Sequence, residues 1–217
     1  MKKFGFTLAE MMITLSIIGV VAAITLPGLR NNAADAKIGP KLGKAASMFE
    51  QANEMMLNSL GTDSIRQAGL TNNVNTYLTQ LTNFIKATGP EAITSIYNAG
   101  LGVNLTGIKS KDGTAYLVAF APNPIIVDPL RPNRNYIGQV QIDINGAAPP
   151  NAVGEDHFVF GLFDDGSLRP KGHPDWAGGN DANWTARCPV DRAPGNTENA
   201  SYCAGHIFDN GMKVQYR

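Results

Sequence analysis

Few residues in this chain of 217 have the type and spacing for chemistry, and they fall in three places. Glu10 is the only charged side chain between Phe6 and Leu26. A bare carboxylate is costly in hydrocarbon, so it calls for a specific partner. Cys188 and Cys203 lie 15 positions apart, with His173 and His206 within reach in the chain. They could be reactive thiols, a bonded pair, or ligands of zinc with the two histidines, although the CxxC spacing that favours zinc is absent. Asp143, Asn145 and Asp156, with Asn151 and Gly154 between them, gather hard oxygen ligands at the end of an alternating apolar run. Calcium takes about six to eight oxygens and suits such loops. The spacing is not that of an EF-hand, and the same residue types also serve as plain turn formers. His157, His173 and His206 are the only histidines, and no GxSxG, HExxH or P-loop is present, so no catalytic residue is expected.

These residues depend on the elements that carry them. Phe6 to Leu26 is a run of 21 residues, about 31 Å long as a helix, which matches the hydrocarbon thickness of a bilayer. Lys2 and Lys3 precede it, which places the amino terminus in the cytoplasm and the rest across the membrane. A secretory signal peptide would share this charge and length, with Val21-Ala22-Ala23 as its cleavage site. The apolar run continues past that point and carries Glu10 near its start, both contrary to a signal peptide. Beyond Pro27 the helical period persists: Ile38, Leu42, Ala45, Phe49, Ala52, Met56 and Leu60 recur at steps of three and four. Gly39-Pro40 predicts a kink or restart, and Gly61 a stop. A second helix is expected from about Asn72 to Ala87, ended by Gly89-Pro90, and a short one over Glu91 to Asn98. Strands follow at Leu105 to Lys109, Thr114 to Phe120, Tyr136 to Ile144 and Phe158 to Phe163, with a short return through Leu168. Lys111-Asp112-Gly113 reads as a hairpin turn, Pro122 to Pro132 as an exposed connection, and His206 lies in a short helix. The sheet is expected to be antiparallel with roughly four strands.

Gly5-Phe6-Thr7-Leu8-Ala9-Glu10-Met11-Met12 closely resembles the leader junction of type IV prepilins, including the pseudopilins of type II secretion. The strong resemblance covers Met1 to about Arg30. It implies that a prepilin peptidase cuts between Gly5 and Phe6 and methylates the new amine of Phe6. It implies that Glu10 pairs with such an amine, its own or a neighbour's, and sets subunit register during assembly. Pro27 matches the helix-bending proline. A disulfide between Cys188 and Cys203 agrees with the resemblance and with an oxidising compartment, beside the thiol and zinc readings. The implied fold is α+β: a long amino-terminal helix packed on a carboxy-terminal antiparallel β-sheet domain. The organisation is then leader 1–5, membrane and fibre-core helix 6–26, amphipathic continuation 27–60, and exported domain 61–217.

The implied function is structural: a subunit that polymerises into a pilus-like fibre, as a secretion pseudopilin or a surface pilin. Its partners are prepilin peptidase, identical or related pilin subunits, and the assembly machinery of the bacterial inner membrane. A single-pass anchored binding protein that never polymerises is the alternative. Lys and Arg equal Asp and Glu at 18 each, which argues against direct nucleic-acid binding. Loss of Lys2 and Lys3 on cleavage would leave the mature chain slightly acidic. No cofactor is expected beyond the calcium considered for Asp143, Asn145 and Asp156.

Overall fold

The computed structural model describes residues 7–94, 104–126, 135–146, 148–171, 188 and 200–215. The chain divides into two compact units, Met1–Lys37 and Ile38–Arg217. The main helix, α1, runs from Leu8 to Leu60. It is continuous through Gly39-Pro40, so no restart occurs there. It ends where the sequence places its stop. Gly61 takes φ 67°, Gly61 N–H donates to Asn58 O at 3.2 Å, and Thr62 N–H donates to Leu57 O at 3.2 Å. This pair of bonds is the Schellman arrangement, which occupies carbonyls left over by the last turn.

In the second unit, a 3-10 turn (Leu70–Asn72) leads into α2 (Val74–Leu81). The Asn73 side chain caps α2 by accepting from Asn75 N–H and Thr76 N–H. This helix is shorter than the span to Ala87 expected from periodicity. Residues 86–88 instead pair with the β2 region, through Thr88 N–H to Lys109 O and Lys111 N–H to Lys86 O. Six strands follow: β1 (Glu91–Thr94), β2 (Asn104–Lys109), β3 (Ala115–Ile126), β4 (Asn135–Asp143), β5 (His157–Phe163) and β6 (Leu168–Pro170). Each is antiparallel to the next in chain order, so the sheet is a plain meander. The last helix, α3, is Cys203–Asp209 and contains His206.

Three further expectations need correction. The sheet has six strands rather than roughly four. Glu91–Thr94 is the edge strand β1, not a helix, because Glu91 to Thr94 find partners in Gly107 to Asn104. β3 extends through Pro122 and Pro124 to Ile126, over part of what reads as an exposed connection. Its pairing with β4 slips between Phe120 and Ile125, and past Val118 it has no β2 partner among the described residues. An irregular, one-sided stretch of strand is where proline's missing N–H does least harm. The remainder of that connection, and residues 95–98 of the expected short helix, lie outside the described residues.

The core of the second unit lies between the Ile38–Leu60 part of α1 and one face of the sheet. Ile38, Leu42, Ala45, Phe49, Ala52 and Met56 are all buried. Phe49 stacks on Tyr116 with ring centroids 5.2 Å apart, and Tyr116 Oη–H donates to Ala45 O at 3.2 Å. Tyr77 meets Phe120 edge-on at 5.3 Å, and Phe160 meets Phe208 of α3 at 5.7 Å. Burial pushes both Tyr77 and Tyr116 hydroxyls up from the ordinary phenol value. The β5–β6 turn and the start of β6 are clipped to α1 by hydrogen bonds. Asn53 Nδ2–H donates to Gly166 O at 3.1 Å, Tyr77 Oη–H donates to Asn53 Oδ1 at 2.7 Å, and Leu168 N–H donates to Glu50 Oε1 at 2.8 Å. The chain therefore has an amino-terminal apolar helix followed by a six-stranded antiparallel sheet, a pilin-like α+β layout.

Candidate processing and assembly site

The first described turn of α1 is built by two residues. Thr7 N–H and Thr7 Oγ1–H both donate to Glu10 Oε2 at 2.8 Å, and Glu10 N–H donates to Thr7 Oγ1 at 3.3 Å. Thr7 is thus the N-cap and Glu10 the third helical residue of a reciprocal capping box. The pattern Thr-x-x-Glu before an apolar run carries this signal in the sequence, and Thr7 is a site residue that the chemical reading of Glu10 alone passes over. Both bonds from Thr7 fall on the same oxygen, Oε2, and no other described residue bonds Glu10 Oε1. The glutamate also suits the helix start, where the backbone dipole favours negative charge.

Glu10 lies in an 18-residue segment, Leu8–Thr25, long and apolar enough to cross a membrane, and no part of that segment is buried within the protein. Its side chains, Leu8, Met12, Ile13, Leu15, Ile18, Val20 and Ile24 among them, are open to the surroundings. The polar side chains along it satisfy themselves. Thr14 Oγ1–H donates to Met11 O at 3.0 Å, Ser16 Oγ–H to Met12 O at 2.8 Å, and Thr25 Oγ1–H to Val21 O at 2.9 Å. Hydroxyls tied back to the helix in this way add little cost in lipid. α1 is helical through Pro27, whose ring supplies no N–H to the ladder. Gly5 and Phe6 lie outside the described residues.

The other candidates separate clearly. Cys188 and Cys203 are bonded to each other, with Sγ–Sγ 2.04 Å and Cα–Cα 5.0 Å. Neither sulfur is a thiolate for zinc, and His206 Nδ1 lies 2.8 Å from Nδ2 of Asn210, the residue that ends α3. His173 lies outside the described residues. Asp143 Oδ1 accepts Asn145 N–H at 3.0 Å and Gly146 N–H at 2.8 Å, while its Oδ2 sits 3.0 Å from His157 Nε2. Asp156 accepts Asn151 N–H and Ala152 N–H, one on each oxygen, at 2.7 Å. Asn145 Nδ2–H donates to Pro149 O at 3.3 Å. The two carboxylates hold the backbone of separate turns, and among the described residues no group of three or more His, Cys, Asp or Glu converges as metal ligands. The His157–Asp143 pair braces the ends of β4 and β5, where the two residues face each other in register.

Residues 1–26 match a family model described as the prokaryotic N-terminal methylation motif. No solved structure matches the chain. The match supports a type IV pilin-like prepilin, a substrate of prepilin peptidase, as the class of protein. That class is structural rather than enzymatic in character. Together with the motif, the apolar helix fits a membrane-anchored single-pass protein.

Proposed function

We propose that this chain is a fibre subunit inserted in the bacterial inner membrane with its amino terminus in the cytoplasm, cut between Gly5 and Phe6, methylated at Phe6, and polymerised through Glu10. The observation that carries the reading is the state of Glu10. It is the only charge in the apolar segment, and among the described residues Thr7 occupies its Oε2 and none occupies Oε1. Cleavage after Gly5 leaves the Phe6–Thr7 peptide bond intact, so the capping box survives processing. It also creates a cationic amine at Phe6, one residue from the cap. Pairing Oε1 with the Phe6 amine of a neighbouring subunit satisfies a charge that lipid leaves unsatisfied, so assembly is favoured in correct register. Pro27 is the helix-bending residue of this reading.

Glu10→Gln separates the two duties of this residue. Glutamine retains the capping box but carries no charge. Sheared fibres should contain little of the variant while the membrane pool holds it in normal amount. Wild-type incorporation of Glu10→Gln would end the proposal. Mass spectrometry of the mature amino terminus should read N-methyl-Phe6, and an intact Met1 would favour the non-polymerising anchored protein. The disulfide leans towards a surface pilin and the Asp-Gly turns towards a secretion pseudopilin. Electron microscopy of cells separates surface fibres from a short periplasmic assembly.

A further inference from the structure

The whole chain is neutral, but its charge is unevenly spread over the second unit. Lys41 and Lys44 lie three positions apart on α1 and are both exposed, so they are neighbours on its surface. Lys44 Nζ lies 3.4 Å from Asp112 Oδ2, which joins α1 to the β2–β3 turn. Lys111, beside Asp112 in that turn, donates its backbone N–H to Lys86 O at 3.1 Å. Lys109 ends β2 and pairs with Glu91 of β1 at 3.0 Å. Five lysines from three stretches of chain thus gather around two carboxylates, and both carboxylates are already paired. Lys41, Lys86 and Lys111 are exposed and make no ion pair among the described residues. The backbone bonds from Lys111 to Lys86 and from Thr88 N–H to Lys109 O fix the turn that carries them.

The position of this face along α1 selects its partner. Lys41 follows Thr25, the last residue of the apolar segment, by 16 residues, about 24 Å of helix. The lysines therefore stand on the first turns of α1 within the unit, at the end that the membrane segment tethers. The extended charge that such a tether keeps nearby is the bilayer surface. Anionic headgroups attract lysines, with an effect that fades over about 10 Å. Membrane helices lie tilted by about 20° on average, which lowers the elements on one flank of the helix towards the headgroups. We propose that Lys41, Lys86 and Lys111, with Lys44 and Lys109 beside them, form a face that binds anionic phospholipid headgroups of the bilayer holding α1. This rests on the membrane anchor in the proposed function and not on polymerisation.

The test places the full chain, one copy per disc, in lipid nanodiscs of phosphatidylcholine alone or of phosphatidylcholine and phosphatidylglycerol in equal parts. Reductive methylation with formaldehyde, a neutral reagent, followed by peptide mass spectrometry gives a rate for each lysine. Lys41, Lys86 and Lys111 should react about threefold or more slowly in the anionic discs, and about 1 M salt should abolish the difference. Lys86→Glu with Lys111→Glu should remove the slowing at Lys41. The pair should leave the melting temperature unchanged, because the fold uses only the backbone of these two residues. Equal rates in the two kinds of disc overturn the proposal while leaving the anchor intact. Slowing that appears only with two copies per disc, whatever the lipid, assigns the face to a second copy and also overturns it. A chain that does not stay with the discs refutes the anchor, and this proposal with it.

Discussion

The carboxy-terminal tail sets a sharp test of how α1 is held in the second unit. A Cβ added at Gly39 would lie 1.8 Å from Met212 O and 2.5 Å from Met212 C, both backbone atoms. One added at Gly43 would meet only the end of the Met212 side chain, Cε at 3.1 Å and Sδ at 3.3 Å. Met212 itself is fixed, since its N–H donates to Ile207 O at 2.8 Å as α3 ends. Replacing either glycine by alanine favours an isolated helix by about 1 kcal/mol. At Gly39 the tail backbone must move away, and overpacking of that kind with loss of the Met212 contact costs roughly 1–3 kcal/mol. Gly39→Ala should therefore be destabilised by about 1 kcal/mol net, on the order of the mid-range cost less the helix gain. Gly43→Ala meets a flexible side chain that can swing aside, and should be neutral or up to about 1 kcal/mol more stable. Urea unfolding of the detergent-solubilised chain measures the two values, and hydrogen exchange at the Met212 amide locates the effect. Gly39→Ala should lose protection at Met212. The reasoning is refuted if Gly39→Ala proves as stable as Gly43→Ala with Met212 protection unchanged.

Reduction of Cys188–Cys203, or replacement of both by alanine, should cost about 3 kcal/mol in the chain-entropy model for a loop of this size, read as a lower denaturation midpoint. Stability should be full below about pH 10 and fall above it, because unfolded tyrosines ionise there while burial holds Tyr77 and Tyr116 neutral to higher pH. Tyr77→Phe should flatten that alkaline slope, and an unchanged slope would contradict the assignment. EDTA should leave the melting temperature unchanged, since the Asp143 and Asp156 oxygens hold backbone N–H groups. Asp156→Ala should by contrast cost roughly 2–4 kcal/mol by orphaning the Asn151 and Ala152 amides, measured by thermal melting.

What the sequence made legible follows from where local pattern and tertiary demand agree. The stripe from Ile38 to Met56 is buried as its period predicts, because a helix lying on a sheet needs one apolar face. Leu60, counted on the same stripe, is 46% exposed, since it sits where the chain turns off at Gly61. The alternation from Tyr136 to Ile142 marks β4 directly, but β1 has no such mark. Glu91-Ala92-Ile93-Thr94 becomes a strand because β2 offers an edge. Within the site, Glu10 stands out as a lone charge, while its partner Thr7 is visible only once the helix start is fixed. The loop after α1 meets the β5–β6 turn where Arg66 N–H donates to Asp164 Oδ1, about a hundred positions apart, and no local pattern announces such a meeting.

The two prolines in β3 acquire a meaning from this setting. A subunit that stacks on its own copies, as proposed for this chain, must polymerise by one route and refuse the others. Open strands are the usual hazard, since their free N–H and C=O groups recruit any passing strand into a sheet. Past Val118, β3 has no β2 partner among the described residues, and there Pro122 and Pro124 withhold two donors within three residues. That stretch of β3 thus makes a poor template for another strand.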